Sequence, residues 1–181
     1  MALIILSLGV GSSWYFIKNG SRISTVSYGP WQTWRSAAEP DADPYTNAHF
    51  ILTGALPLPA DVGETYVATK DSDGKSLHSS CDYKIISSPQ SFLLWSLAVF
   101  DSKGQVIKNP SDRYSFTNKT AALDEDGRFT AILSRSAKPG NWLPTAGAGY
   151  LTVVFMVMNT KQNSEIQPLD YLPKFEILNC R

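Results

Sequence analysis

The segment Asn109-Pro110-Ser111-Asp112-Arg113-Tyr114-Ser115 sets an acid, a base and a phenol side by side. Asn-Pro starts a turn, and loop side chains held by rigid strands can converge on a ligand. Asn109, Asp112, Arg113 and Tyr114 are therefore candidate binding residues. A structural alternative has Arg113 paired with Asp101 or Asp112, pinning a long connection, with Tyr114 tucked into the core. Gly140-Asn141-Trp142-Leu143-Pro144 carries the same two readings: Trp142 plugs the end of the core, or forms an aromatic platform for a sugar or lipid. Asp101 and Asp112 together suggest general acid–base hydrolysis, which needs two carboxylates at a defined separation. A sequence does not supply that distance, and Asp101 also fits a turn.

Other chemistries lack their residues. His49 and His78 are isolated, neither stands in a zinc-ligand spacing, and no Gly-x-Ser-x-Gly elbow accompanies them. Two cysteines without a CxxC spacing make no metal site. Asp71-Ser72-Asp73-Gly74 lacks the further oxygen ligands and closing Glu of a calcium loop, and reads as a hairpin turn. Asp124-Glu125-Asp126-Gly127 reads as a solvated turn. No metal, cofactor or catalytic set is expected. Sixteen basic residues balance sixteen acidic ones, so the cationic excess that nucleic-acid binding depends on is missing.

The elements that must position these residues are mostly strands. Three Asp-x-x-Gly sequences, beginning at Asp71, Asp101 and Asp124, separate β-rich stretches. Asp accepts local backbone N–H bonds and Gly supplies positive φ, so each reads as a hairpin connection. The run 149–159 is nearly all apolar and suits a central or doubly buried strand, with Trp95 on another core strand. Turn signals at short intervals point to a mainly β fold, a jelly-roll-like antiparallel β-sandwich. One helix stands before it. Asp43 is a good N-cap, Pro44 suits the first helical position, and Gly54 and Pro57 stop it. Tyr45, Ala48, Ile51, Leu52 and Ala55 form its apolar stripe.

The first seventeen residues carry no charged side chain and end in Trp14-Tyr15-Phe16-Ile17. They read as a transmembrane anchor slightly under the ~20 residues a bilayer core asks for; a cleaved signal peptide is the alternative. Residues 18–30 read as a tether and 31–181 as the β domain, with Trp31 and Trp34 as docking side chains. Lys18 and Arg22 after the anchor would, by the positive-inside rule, leave the domain in the cytoplasm. Cys81 and Cys180 point the other way if bonded, because disulfides persist in oxidising compartments. Two separate buried thiols are the other reading.

From Trp95 to Pro144 the order is an apolar strand, an Asp-x-x-Gly turn, Asn-Pro-x-x-Arg-Tyr-Ser, a second Asp-x-x-Gly turn, and Gly-Asn-Trp-Leu-Pro. That order resembles the bacterial family called domain of unknown function 1214 (DUF1214), over about residues 30–181. The resemblance implies a β-sandwich, a Cys81–Cys180 pairing and a periplasmic location at the inner membrane. Longer relatives carry a second, related domain. The function expected is an anchored periplasmic binding module for an envelope glycan, lipid or peptide. The alternatives are a structural or assembly protein acting through protein partners and, third, a carboxylate hydrolase.

Overall fold

Hairpin turns of one design organise the chain in the computed structural model, which describes residues 1–20, 23–89, 92–158 and 168–181. Arg22, part of the expected anchor flank, lies outside them. Asp71 Oδ1 accepts the N–H groups of Asp73 and Lys75 at 3.0 and 2.9 Å. Asp101 does the same for Lys103 and Gln105, both at 2.8 Å, and Asp124 for Asp126 and Arg128. Each carboxylate satisfies two donors that a tight turn would otherwise leave unpaired.

The strands so connected form two sheets. The larger has the order β1 (Thr25–Tyr28), β2 (Trp31–Trp34), β3 (Gly63–Ala68), β9 (Leu151–Met158), β5 (Leu94–Asp101) and β6 (Ser115–Thr117). The smaller runs β10 (Lys174–Cys180), β4 (Cys81–Ile86), β7 (Thr130–Ser134) and β8 (Asn141–Pro144). One core lies between them. Trp95 of β5 stacks on Phe129 with centroids 4.3 Å apart, and Trp31 of β2 meets Phe175 of β10 at 5.3 Å. β9 is central and alternates strictly, with Val153, Phe155 and Val157 fully buried and the residues between them half-buried on the opposite face. The arrangement is sandwich-like. However, β7 and β8 run parallel, so the second sheet is mixed rather than wholly antiparallel, and a jelly roll is not shown.

Among the described residues three helices accompany the sheets: α1 (Ala2–Asn19), α2 (Pro44–Thr53) and the short α3 (Pro168–Tyr171). The stretch read as a tether is partly structural, since β1 pairs antiparallel with β2 and joins the large sheet. Its neighbour Trp31 is a core residue whose indole N–H donates to the Pro173 carbonyl at 2.6 Å. The 18 residues of α1 give a length of about 27 Å, short of the ~30 Å hydrocarbon core. No helix among the described residues is long and apolar enough to cross a membrane. A transmembrane anchor is therefore not shown.

Asp43 caps α2 as its position before Pro44 suggests, accepting the Tyr45 and Thr46 N–H groups at 2.9 and 3.2 Å. The expected stripe is not the buried face. Ile51 is 80% exposed and Leu52 56%, while Thr46 is buried and His49 and Phe50 turn to the sheet. Aromatic packing against Trp34 outweighs burial of the aliphatic residues, because Trp34 offers a large flat face on that side of the sheet. At the far end of the chain, Cys180 sits opposite Cys81 across the β10–β4 pair and the two form a disulfide.

Candidate functional site

A pocket lies where α2 and the chain after it cross the outer face of the large sheet. Tyr66, Ala68, Val153 and Phe155 point into the core, which leaves Thr65, Val67 and Val154 on the opposite face as a floor. His49 and Phe50 of α2 form one wall. Leu56, Pro57 and Leu58 form another. The cavity holds about 400 Å³, within the usual range of small-molecule sites.

Local chemistry holds the wall in place. Trp34 stacks on the His49 imidazole at 4.0 Å and meets Phe50 edge-on at 6.0 Å. His49 Nδ1 lies 2.8 Å from the Ile17 carbonyl oxygen of α1. A carbonyl can only accept, so Nδ1 carries the proton and Nε2 keeps its lone pair. Burial pushes the His49 pKa below the ordinary value, against the upward pull of that carbonyl, so the ring is neutral at pH 7. Gly63 fits only as glycine, because a Cβ there would come within 2.4 Å of the Val157 carbonyl oxygen.

Two charged residues border the cavity, Arg35 and Glu64, and the Glu64 carboxylate turns to the core face beside Tyr66. Glu64 accepts from the Tyr66 phenol and, at 3.4 Å, from that of Tyr171; the two phenols are 2.6 Å apart. Burial, with the Glu64 hydrogen bond, raises the Tyr66 pKa far above its ordinary value, and burial raises that of Tyr171 too. Both phenols are therefore fixed donors. Arg35 is exposed, and its guanidinium has no partner among the described residues.

The residues singled out from sequence lie elsewhere and are only partly brought together. Asn109 is 9% exposed and organises its own loop: Nδ2 donates to the Ile107 and Arg113 carbonyls, and Oδ1 accepts the Ser111 and Arg113 N–H groups. Tyr114 donates its hydroxyl to Asp112 at 3.0 Å, and that bond raises its pKa by favouring the protonated phenol. Arg113 is exposed and forms no ion pair with Asp101 or Asp112, so Asn109, not Arg113, pins the connection. Asp112 and Arg113 flank an open depression of about 490 Å³ shared with Gly140 and Asn141. Trp142 is not part of it; its indole N–H donates to the Ser134 carbonyl at 3.0 Å. Asp101 is occupied by its turn.

Residues 63–162 match the profile of a family described as Protein of unknown function (DUF1214). The chain belongs to this family. That match includes the floor of the pocket and the Asn109–Ser115 loop, but not α2. In a solved structure of a Vibrio parahaemolyticus protein, 22% identical, the fold recurs with a TM-score of 0.60 over 78% of this chain and 37% of that one. A Burkholderia cenocepacia protein of known structure is 16% identical, with a TM-score of 0.53, over 71% of this chain and 33% of that one. This DUF1214 chain thus spans about a third of either relative's length. Among curated proteins no match was found.

Sequence reasoning missed the pocket. Trp34 was recognisable as a docking side chain, but its partner His49 lies on another element and the contact is purely tertiary.

Proposed function

We propose that this DUF1214 domain is a binding module whose ligand seat is the pocket under α2. The observation that carries the reading is that cavity: an apolar floor and walls with a few fixed polar groups, the usual composition of a small-molecule site. It favours a ligand with an apolar body over a peptide or a free sugar. A ligand that binds only the folded chain raises its stability, by about 2.7 kcal/mol at a hundred times Kd. Thermal unfolding of the oxidised full chain against lipids, glycans and peptides is the test. A saturable rise with a lipid, lost in Val154→Phe, is expected; no rise with any class, or one indifferent to Val154→Phe, would overturn the seat.

The domain also acts at a membrane surface on this reading. α1 exposes Ile4, Leu6, Leu8, Val10 and Trp14 on several sides at once, and Ile51 and Leu52 of the adjoining α2 are exposed as well. Apolar groups exposed all round a helix call for an apolar medium rather than one partner groove. The disulfide supports an oxidising compartment such as the periplasm. Vesicle flotation checks the first point: retention on vesicles after Leu6, Leu8 and Val10 are all changed to Ser would refute it.

A second reading concerns the depression beside Arg113, whose guanidinium has no partner among the described residues and suits a polar ligand such as a glycan. Unchanged glycan responses in Arg113→Ala would remove it.

A further inference from the structure

Resting on the seat under α2, we infer that its ligand is an anionic amphiphile: one apolar chain carrying a carboxylate or phosphate head. The sign of the head follows from the charges that border the cavity. Glu64 is already served by the Tyr66 phenol, which Tyr171 supports in turn at 2.6 Å, whereas Arg35 has no acceptor among the described residues. His49 is neutral and adds no charge. The charge left for a ligand is therefore positive. Arg35 is also held at its base, since its backbone N–H donates to the Ser24 carbonyl at 2.8 Å. A guanidinium presents paired donors that match carboxylate and phosphate oxygens.

The chain of the amphiphile has its own partners. Phe50, Leu56, Leu58, Val67 and Val154 supply the apolar lining. The seat also adjoins the apolar helix: Phe16 of α1 packs edge-on against Tyr45 of α2, and Ile17 holds His49. That proximity favours a ligand that partitions with lipid over a freely soluble anion. Both a free fatty acid and a lysophospholipid present the required chemistry.

The test uses the oxidised full chain and probes of one chain length below their micellar concentrations. Dodecanoate, dodecyl maltoside and dodecyltrimethylammonium are titrated by calorimetry, with lysophosphatidylglycerol as a second anion. Dodecanoate or the lysolipid should bind at least tenfold more tightly than the cation, and the tighter of the two identifies the source. Arg35→Gln should weaken the anions roughly fivefold, as for an exposed ion pair, and leave the maltoside unchanged. Arg35→Lys should recover most of that loss. Val154→Phe, confirmed folded by its unfolding curve, should weaken every probe. Equal affinities for all charges, with Arg35→Gln silent, would overturn the anion while leaving the seat intact. Binding that ignores Val154→Phe would place the probes on α1 and overturn both, as would no binding at all.

Discussion

Removing the Cys81–Cys180 bond by the double substitution to Ser should be the costliest small change to this domain. The bonded residues are 99 apart in sequence, so the cross-link closes most of the β domain into one loop. Chain-entropy theory values closure of a loop that long at about 4.7 kcal/mol, through the conformations it denies the unfolded chain. The folded state offsets part of this. Phe175 is 4% exposed and keeps β10 on the core, but Leu178 is 50% exposed, and the strand end beyond it is free to fray once the bond is gone. Fraying returns some entropy to the native state, so we expect a loss of about 3–5 kcal/mol. For a chain of this size that is a fall in Tm of roughly 6–20 °C. Urea unfolding of the oxidised and double-Ser proteins measures it directly. The m-value should rise in the variant, since the unlinked chain exposes more surface when unfolded. A loss below about 1 kcal/mol with an unchanged m-value would refute the reasoning.

Three further outcomes follow from local geometry. Asp43→Ala should cost about 1 kcal/mol by uncapping α2, read as a shift in urea midpoint. Burial pushes the Asp43 carboxyl up, but bonds from Thr46, Ser24 and Tyr45 outweigh it and hold the pKa below 3.8. Its contribution is thus complete above that pH and lost as pH falls through the folded value, so wild type and variant should converge in acid. Gly63→Ala should cost about 1–3 kcal/mol, because a methyl group must displace the Val157 carbonyl in the β3–β9 pair; a neutral thermal shift would contradict it. Asn109→Ala should cost about 1–3 kcal/mol by stranding buried loop groups, whereas Arg113→Ala should stay within about 0.5 kcal/mol, a contrast that thermal melts would reveal.

What the sequence determined by itself is local. The three Asp-x-x-Gly turns were legible because each carboxylate bonds N–H groups two and four residues ahead. The Asp43 cap reaches Tyr45 and Thr46, and the apolar run of β9 marks a central strand wherever its neighbours lie. The Asn109–Tyr114 loop was recognisable as special, though the side chain that organises it is Asn109 rather than Arg113. The rest came from packing between distant segments. Periodicity placed Ile51 and Leu52 on the inner face of α2, yet the helix turned His49 and Phe50 inward to meet Trp34, a residue on another element. The parallel β7–β8 pair and the pocket between α2 and the sheet arise in the same way. A hydrogen bond spanning four residues is written into those residues; a cavity exists only where distant segments pack and leave space between them, and no single segment carries that information.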